Sequence, residues 1–199
     1  MMKKIGLSII AIAFIAFTSC KEEKKESQEE LNKTEEVKKE VEPIISSTEK
    51  KEIMVRLDAK SDSKATGKLF IKEVDGMVFL EAKFMGLTPG AHAIHIHEKA
   101  DCSSEDGKSS GGHWNPTFKN HGKWGDENGY HKGDIGNFEV GENGYGKIAM
   151  ETNEWCIGCD DETKNIVGKA IIVHQGTDDF VSQPSGAAGA RVSCGGIIQ

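Results

Sequence analysis

The sequence has no apolar run long enough to cross a membrane and no surplus of basic residues. Its N-terminal apolar run, "IGLSIIAIAFIAF", covers only residues 5–17, whereas a membrane-spanning helix needs about 20 residues. The 199 residues include 25 Lys and Arg against 32 Asp and Glu, a formal net charge of −7. From residue 53 onward there is no sustained helical periodicity. These absences argue against a transmembrane helix, a nucleic-acid partner and a helical domain.

The N-terminus instead has the order of parts found in an export signal. Lys3 and Lys4 precede the apolar run, which is followed by small residues in "FTSC" at residues 17–20. This order is typical of a secretory signal peptide. A cysteine directly after small residues also resembles the bacterial lipobox, so we predict that residues 1–19 are removed and that Cys20 is lipidated. The alternative is an ordinary secretory signal in which Cys20 has no role.

Residues 20–52 form a second region, which follows the signal. Lys and Glu fill 19 of the 32 positions from 21 to 52, and large apolar side chains are almost absent. Such a segment buries too little apolar surface to offset its ordering entropy, so we predict a solvated, disordered tether. Loss of residues 1–19 leaves 25 − 2 = 23 basic residues against 32 acidic ones, a charge of −9. The exported chain is therefore still more acidic, and nucleic acid is not an expected partner.

The remaining residues, 53–199, are predicted to form one all-β domain. Apolar residues alternate with polar ones from Ile53, the period of a half-buried strand. Turn residues separate further strand-like segments, including Asp75-Gly76 between "GKLFIKEV" and "MVFLEAKFMGL". "NIVGKAIIVH" is predicted to be another strand. Many short strands without intervening helices favour an antiparallel sandwich or barrel. Two long Gly-rich stretches, 98–136 and 175–190, interrupt the strands and are expected to carry function.

All seven histidines lie in this domain, and their spacing favours a metal site. His95 and His97 occupy positions i and i+2 of a predicted strand, which places both imidazoles on one face. The other candidates are loop or strand-end residues: His113, His121, His131, Asp134 and His174. Imidazole suits both zinc and copper, and an added carboxylate favours zinc. Each histidine alone is more typical of a surface or core position, but the joint pattern predicts a protein with two metal sites.

The ordered motifs "HAIHIHE", "GGHWNP", "HGK…HKGDIGN", "IIVHQGTDD" and "GAAGARVSCGG" resemble those of copper/zinc superoxide dismutase. They run from about residue 86 to 196, and the flanking strands extend the resemblance over the domain from residue 53. The family resemblance implies a Greek-key antiparallel β-sandwich or flattened barrel with two long functional loops. It also implies copper and zinc as cofactors and superoxide as the substrate.

The same resemblance assigns a role to each site residue. It makes four histidines the copper ligands: His95, His97, His113 and His174. It makes His113, which bridges the two metals, a zinc ligand together with His121, His131 and Asp134. Asp178 matches the carboxylate that links a copper histidine to a zinc histidine, and His92 matches a histidine that supports the loop near copper. Arg191 matches the arginine at the channel mouth, and Cys102 pairs with Cys194.

The resemblance also implies how these residues act. Two superoxide anions become dioxygen and hydrogen peroxide, with His113 carrying a proton and Arg191 attracting the anion. The segment between Asp178 and Arg191 departs from the pattern because it is short and holds no lysine, and Ala187 stands where the family often has Asn. The charges that attract the anion from a distance are therefore open, with Lys119, Lys123 and Lys132 as candidates.

Cys156 and Cys159, in "WCIGCDD", remain after the other cysteines are assigned. A C-x-x-C beside a βαβ pattern would suggest redox activity. No such pattern surrounds this pair, so we predict a local disulfide without redox function. Three acidic residues that follow at once would raise the pKa of a thiolate there and weaken it as a nucleophile.

The sequence as a whole therefore predicts a lipid-anchored superoxide dismutase outside the cytoplasm, in the periplasm or at the cell surface. A non-catalytic copper- or zinc-binding module of the same fold is the main alternative. Arg191 argues against it, because a storage protein needs no anion guide. An adhesion domain would leave the histidine pattern unexplained. Whether the chain forms a homodimer is left open.

Overall fold

A computed structural model describes residues 50–199 of the chain. The predicted export signal, Cys20 and the tether up to residue 49 lie outside the described residues. Within residues 50–199, no helix has the length and apolar character needed to cross a membrane. The first strand begins at Lys51, two residues before the predicted start of the domain.

The described residues form eight β-strands and one short 3₁₀ turn. The strands are β1 (Lys51–Ala59), β2 (Thr66–Val74), β3 (Met77–Met85), β4 (Gly90–His97), β5 (Gly136–Val140), β6 (Gly146–Thr152), β7 (Ala170–His174) and β8 (Arg191–Gly196). The 3₁₀ turn, Lys108–Ser110, lies in the long connection between β4 and β5. This element list confirms the predicted all-β class.

The strands close into a single antiparallel barrel. Their order around it is β1-β2-β3-β6-β5-β4-β7-β8, and β1 pairs with β8 to close the ring. The connections from β3 to β4 and from β6 to β7 join strands that are not neighbours, which is the crossing expected of the predicted Greek-key barrel.

The alternation of apolar residues explains why these segments are strands and which face they bury. In β1, the side chains of Ile53, Val55 and Leu57 are buried and their neighbours are exposed or half-buried. The same alternation in β2 and β3 directs residues such as Leu69 and Phe84 into the core. A barrel filled by side chains of this kind is a rigid base for the loops that leave it.

The β2–β3 hairpin has the predicted turn. Asp75 and Gly76 have φ angles of 51° and 76°, and a two-residue turn with both φ angles positive matches the twist of the flanking strands. The register that follows pairs Val74 with Met77 and Leu69 with Ala82. The turn therefore fixes which residues of the two strands face the core.

The predicted strand "NIVGKAIIVH" is wrong over its first half. Only Ala170–His174 pairs with neighbouring strands. Gly168 has a left-handed φ of 82°, and the Asn165 side chain accepts hydrogen bonds from the N–H groups of Gly158 and Val167. These local bonds hold the backbone in a turned conformation that cannot continue a strand.

Two long loops leave the barrel where the sequence predicts them, at residues 98–135 and 175–190. The first is tied to the barrel by the disulfide between Cys102 and Cys194, with sulfurs 1.97 Å apart. The predicted pair Cys156 and Cys159 is also bonded, at 1.90 Å. Backbone hydrogen bonds from Cys156 to Lys164 and from Ile166 to Cys156 close the loop that contains this second bridge.

The two disulfides should differ in their effect on stability. Cys102 and Cys194 are 92 positions apart and Cys156 and Cys159 only 3 apart, so loop-closure entropy predicts about 4–5 kcal/mol for the first and about 2 kcal/mol for the second. We expect Cys102→Ser to lower the free energy of unfolding more than the Cys156→Ser/Cys159→Ser double variant. Urea unfolding of the metal-free proteins measures both values. An equal loss in the two variants would contradict the prediction.

Candidate metal centre

Strand β4 places two histidines side by side at the base of the site. His95 and His97 are two residues apart and share one face, and their ring centroids are 6.4 Å apart. Both side chains are almost fully buried. Strand β4 pairs with β5 as far as Ile94 and with β7 from Ile94 to His97, so the backbone that carries these two rings is held in the sheet.

His174 reaches the same site because of an irregularity in the β7–β8 pairing. Val173 pairs with Ser193, but the next pair is His174 with Arg191, so one residue of β8 is skipped. Such a bulge bends the strand and redirects its side chains. The His174 ring lies 4.9 Å from the His95 ring, centroid to centroid. Nothing in the sequence pattern of these strands predicted the bulge.

The loop 98–135 supplies the remaining histidines. An isolated bridge pairs His113 with His97, and the His113 ring lies 4.0 Å from the His95 ring, centroid to centroid. Further along the loop, His121 and His131 lie 5.3 and 5.7 Å from His113 by the same measure. Asp134 organises this part of the loop, since its Oδ2 accepts hydrogen bonds from the N–H groups of Gly122 and His131.

The side chains form two buried groups that share one residue. The ligand atoms within each group lie within 4.8 Å of one another; the first group is His95, His97, His113 and His174, and the second is His113, His121, His131 and Asp134. His113 belongs to both. Its Nδ1 atom lies 2.9 Å from Asp134 Oδ1, on the side of the second group, which leaves Nε2 for the first. The structure thus brings together all seven predicted ligands.

The unpartnered nitrogen atoms test whether these groups fit metal ions. Six buried side-chain nitrogens within residues 50–199 have no hydrogen-bond partner, namely His95 Nδ1, His97 Nε2, His113 Nε2, His121 Nδ1, His131 Nδ1 and His174 Nε2. All six belong to the two groups. A buried polar atom without a partner is unfavourable. One atom from each imidazole, directed at a shared point, is the donor set that a metal ion requires.

Distances to Asp134 support this interpretation of the second group. The Nδ1 atoms of His121 and His131 lie 3.0 and 3.2 Å from the Asp134 carboxylate oxygens. Neither nitrogen forms a hydrogen bond with the carboxylate, however, because its direction is unsuitable. Atoms that approach one another without bonding are placed as ligands around a common centre would be.

Besides His113, four of these rings have a partner on the other nitrogen that fixes the ring orientation. His97 Nδ1 lies 2.9 Å from the Gly111 carbonyl oxygen and His174 Nδ1 lies 3.3 Å from that of Gly189. Asp178 joins the two groups, because its carboxylate oxygens lie 2.8 Å from His95 Nε2 and 2.9 Å from His121 Nε2. Partners of this kind set the tautomer and direction of metal-binding histidines.

The two groups differ in charge. Burial lowers the pKa of His113 to about 4, and burial also lowers the pKa values of His97 and His174 well below the usual range. These imidazoles are neutral at pH 7 and their free nitrogens can act as ligands. Three of the four residues of the first group are therefore uncharged donors.

The second group carries negative charge. Burial opposes ionisation of Asp134 and Asp178, but hydrogen bonds and contacts with histidines outweigh it and hold both pKa values well below the usual range. Burial would lower the pKa of His121, yet the carboxylates of Asp134 and Asp178 raise it to about 9. In the metal-free protein these carboxylates hold a proton on His121, which a cation bound there would displace.

His92 supports the site from behind and is not a member of either group. Its Nδ1 lies 2.8 Å from the His174 carbonyl oxygen and its Nε2 lies 2.8 Å from the Thr88 carbonyl oxygen. The ring is buried next to Phe138. The supporting role that the family resemblance implies for His92 stays a prediction.

A cleft of about 690 Å³ connects the first group to solvent, and its walls include His97, His113, His174 and Arg191. Arg191 is half-buried, and its Nη1 donates hydrogen bonds to the Gly107 carbonyl oxygen at 2.9 Å and to Ser110 Oγ at 3.2 Å. These bonds fix a permanent positive charge beside the histidines.

The structure ranks the lysines that the sequence left open. Lys119, Lys123 and Lys132 do not line this cleft, and Lys132 forms an ion pair with Glu154. Lys108, which the sequence analysis missed, does line it, and its Nζ lies 3.0 Å from Asp106 Oδ2. No periodic or motif signal marks Lys108, because the loop fold alone brings it to the cleft.

Two amide side chains near the site were also missed. Asn137 donates to the Asp178 carbonyl oxygen at 2.9 Å and accepts from the Asp178 N–H at 2.8 Å. Gln183 makes the equivalent pair of bonds with the backbone of His121. Asn137 ends the quoted motif "HKGDIGN", so its position was visible, but its contact was not. Gln183 lies in a loop with no pattern.

Comparison with known proteins places these features in a family. Residues 65–197 match the family described as copper/zinc superoxide dismutase (SODC). The chain is similar to the superoxide dismutase-like protein YojM of Bacillus subtilis (strain 168), with 36% identity over 142 residues, 69% of this chain and 71% of the relative. It is also similar to Cu-Zn superoxide dismutase 2 of Mesembryanthemum crystallinum, with 34% identity over 132 residues, 63% of this chain and 81% of the relative.

A solved structure shows the same similarity in three dimensions. The crystal structure of a superoxide dismutase-like protein from Bacillus subtilis matches with a TM-score of 0.65 and 34% sequence identity, covering 73% of this chain and 97% of the other. The sequence match, the closed antiparallel barrel and the two histidine groups agree. The chain belongs to the copper/zinc superoxide dismutase family, and its two groups of ligands suit the copper and zinc of that family.

Proposed function

We propose that the protein catalyses the dismutation of superoxide to dioxygen and hydrogen peroxide. The observation that carries the proposal is the open cleft. Three histidines of the first group, each with one ring nitrogen that lacks a hydrogen-bond partner, line it together with Arg191. A buried structural metal site needs neither an open path for a small anion nor a fixed cation on that path. The family of the chain supports the same activity.

The donor sets favour one arrangement of the metals. The first group, four imidazoles, would hold copper, and the second group, three imidazoles and a carboxylate, would hold zinc. When bound, copper supplies one-electron oxidation and reduction, which zinc cannot perform. The overall reaction converts two superoxide anions and two protons into one dioxygen and one hydrogen peroxide.

The protein's own residues would act on the substrate and the proton. The Arg191 guanidinium attracts and orients the anion, because it offers several donors in a fixed plane. The Nε2 atom of His113 faces the first group in the cleft and is the atom proposed to carry a proton to the reduced substrate. Asp134 forms a hydrogen bond with Nδ1 of the same ring and so orients His113 for this role.

Asp178 must keep its position between His95 and His121 for both groups to form. Gly186 packs directly against it: an added Cβ would lie 1.8 Å from Asp178 Oδ1 and 2.7 Å from His121 Nε2. Gly186 also has a left-handed φ of 66°. Only glycine fits this position without displacing the carboxylate.

A non-catalytic metal-binding module is the second candidate. It is favoured by the similarity to a relative that is named only as superoxide dismutase-like. The two functions are separated by measuring superoxide dismutation of the purified protein together with its copper and zinc content. Full metal content without dismutation would overturn the proposed catalysis.

The first prediction concerns Arg191. Arg191→Ala should keep copper and zinc but lose at least about tenfold of the dismutation rate, because the cleft loses its anion-binding charge. Arg56→Ala is the matched control, since Arg56 is the only other arginine of the chain and is exposed on β1. Pulse radiolysis measures the rates, and elemental analysis measures the metals. Equal rates for the two variants would show that Arg191 is not an anion guide.

For the shared ligand, His113→Ala should reduce the content of both metals, because one residue serves both groups. His131→Ala is the matched substitution, because His131 belongs to the second group only. It should remove zinc and leave most of the copper. Elemental analysis of the proteins reconstituted with both metals tests this. A His113→Ala variant that loses one metal alone would contradict the shared role.

Gly186→Ala should displace Asp178 and weaken binding of both metals. Gly168→Ala is its control, since Gly168 has a similar φ of 82° but nothing within 4 Å of an added Cβ. The control carries only the left-handed backbone strain, about 1–2 kcal/mol. Thermal unfolding and metal content of both variants decide the matter. If they behave alike, the contact with Asp178 is unimportant.

For the location of the protein, we propose that Cys20 is the mature N-terminus and carries the lipid that attaches it to a membrane. The proposal is supported by the order of segments before Cys20: basic residues come first, then the apolar run, and then small residues. Metabolic labelling with a fatty acid should modify the wild type and not Cys20→Ser. Release of an unlabelled wild-type protein cleaved at another residue would refute the lipid anchor.

A further inference from the structure

His121 is the residue of the loop 98–135 to which the loop 175–190 forms side-chain hydrogen bonds. In the described part of the chain, three side-chain hydrogen bonds join the two loops, and all three end on His121. One is the bond from its Nε2 to Asp178 Oδ1, at 2.9 Å. The other two come from the side-chain amide of Gln183, which accepts from the His121 N–H at 2.9 Å and donates to the His121 carbonyl oxygen at 2.9 Å. The ring and the backbone of one residue are thus held from the same loop.

The Gln183 amide extends from a segment that is itself braced. Gly186 N–H donates to the Ser182 carbonyl oxygen at 2.7 Å, and Ser182 Oγ donates to Asp179 Oδ2 at 2.5 Å. The Gln183 amide also donates to the Val181 carbonyl oxygen at 3.3 Å. The amide is therefore oriented before it meets His121, and little freedom is lost when the contact forms.

We propose that Gln183 is a positioning residue for the zinc group: it fixes the backbone of His121 so that Nδ1 stays directed at the metal. The proposal rests on the assignment of zinc to the second group. His121 lies in a loop without regular secondary structure, so its backbone needs such a partner. Asp178 alone orients the ring but leaves the peptide groups on either side of it free to move.

The arrangement at Asp178 supports this role. Asn137 binds both backbone groups of Asp178 as Gln183 binds those of His121. The two residues joined by the His121–Asp178 bond are therefore each held by an amide side chain at their backbones. Of the two amide residues, Gln183 is the one that lies in the loop 175–190, which contains no strand. Its loss would release His121 toward solvent.

The test measures zinc binding by the metal-free chain from residue 20 onward. The protein competes with a chromophoric chelator for zinc ion. Gln183→Met keeps the length of the side chain and removes both hydrogen bonds. We expect it to weaken zinc binding about 10- to 100-fold, the usual range for partners of metal ligands. Copper binding should change by a smaller factor, since the side-chain hydrogen bonds of Gln183 within the described residues go to His121 and Val181 and to no copper-group residue. The visible spectrum of Co²⁺ bound in the zinc group should also change.

A control and a conservative variant separate positioning from general stability. Asn165 makes a comparable number of side-chain bonds to its own loop, to Gly158, Val167 and Cys159, and none to the metal groups. Asn165→Ala should lower the unfolding temperature and leave zinc affinity unchanged. Gln183→Glu keeps an acceptor for the His121 N–H but cannot donate to its carbonyl oxygen at neutral pH, so its zinc affinity should lie between Gln183→Met and the wild type.

The outcomes decide the proposal without any measurement of activity. Equal zinc affinity and Co²⁺ spectra for Gln183→Met and wild type would overturn it. So would an equal loss of zinc affinity in Asn165→Ala, because the effect would then be general. Absence of dismutation in the wild type would overturn the proposed catalysis and would not affect the zinc comparison.

Discussion

Six buried imidazole nitrogens without hydrogen-bond partners are the constraint on which the rest of this structure depends. At about 1–3 kcal/mol for each unsatisfied polar atom, they oppose folding by roughly 6–18 kcal/mol in total. The net stability of a typical domain is only about 5–15 kcal/mol. The remainder of the fold must therefore hold these atoms in place until a metal ion satisfies them, and metal binding must contribute strongly to the stability of the folded chain.

The barrel and the loops divide this task. Residues His95 and His97 lie on a strand that pairs with β7, so the sheet fixes their backbone, and Asp178 and Gly111 orient their rings. The loop ligands have no such support, and each is held by specific bonds instead. The Cys102–Cys194 bridge ties the long loop to β8, Asp134 binds two backbone N–H groups of that loop, and Asp178 connects it to the barrel histidine.

The sequence predicts the parts of this arrangement that follow from periodicity or from motifs. Alternation at Ile53, Val55 and Leu57 and the Asp75-Gly76 turn indicate strands and a hairpin, and both are confirmed. The spacing of His95 and His97 predicts one shared face because a strand has a period of two. The family motifs extend this to all seven ligands. These features are local, so they can be seen without knowledge of the fold.

Features that depend on contacts between distant segments could not be predicted in this way. The bulge at Val173 and His174 arises from a mismatch between two strands, and neither strand alone shows it. The predicted strand before Ala170 was wrong for a different, local reason: the apolar pattern does not show that Asn165 binds backbone N–H groups of its own loop and that Gly168 turns the chain. Lys108 and Gln183 reach the site only when two irregular loops meet, and a loop without periodicity gives no signal for such a meeting.

The shared histidine explains how one small site can hold two chemically different groups. Burial keeps His97, His113 and His174 of the first group neutral, whereas Asp134 and Asp178 give the second group a negative field that holds a proton on His121. A dication that binds in the second group replaces this proton and meets carboxylate charge. A cation that binds in the first group meets imidazole nitrogens alone. His113 feels both environments through one ring, since its Nδ1 faces Asp134 and its Nε2 faces the first group. The basicity of His113 Nε2 is therefore influenced through the ring by Asp134, on the side of the second group.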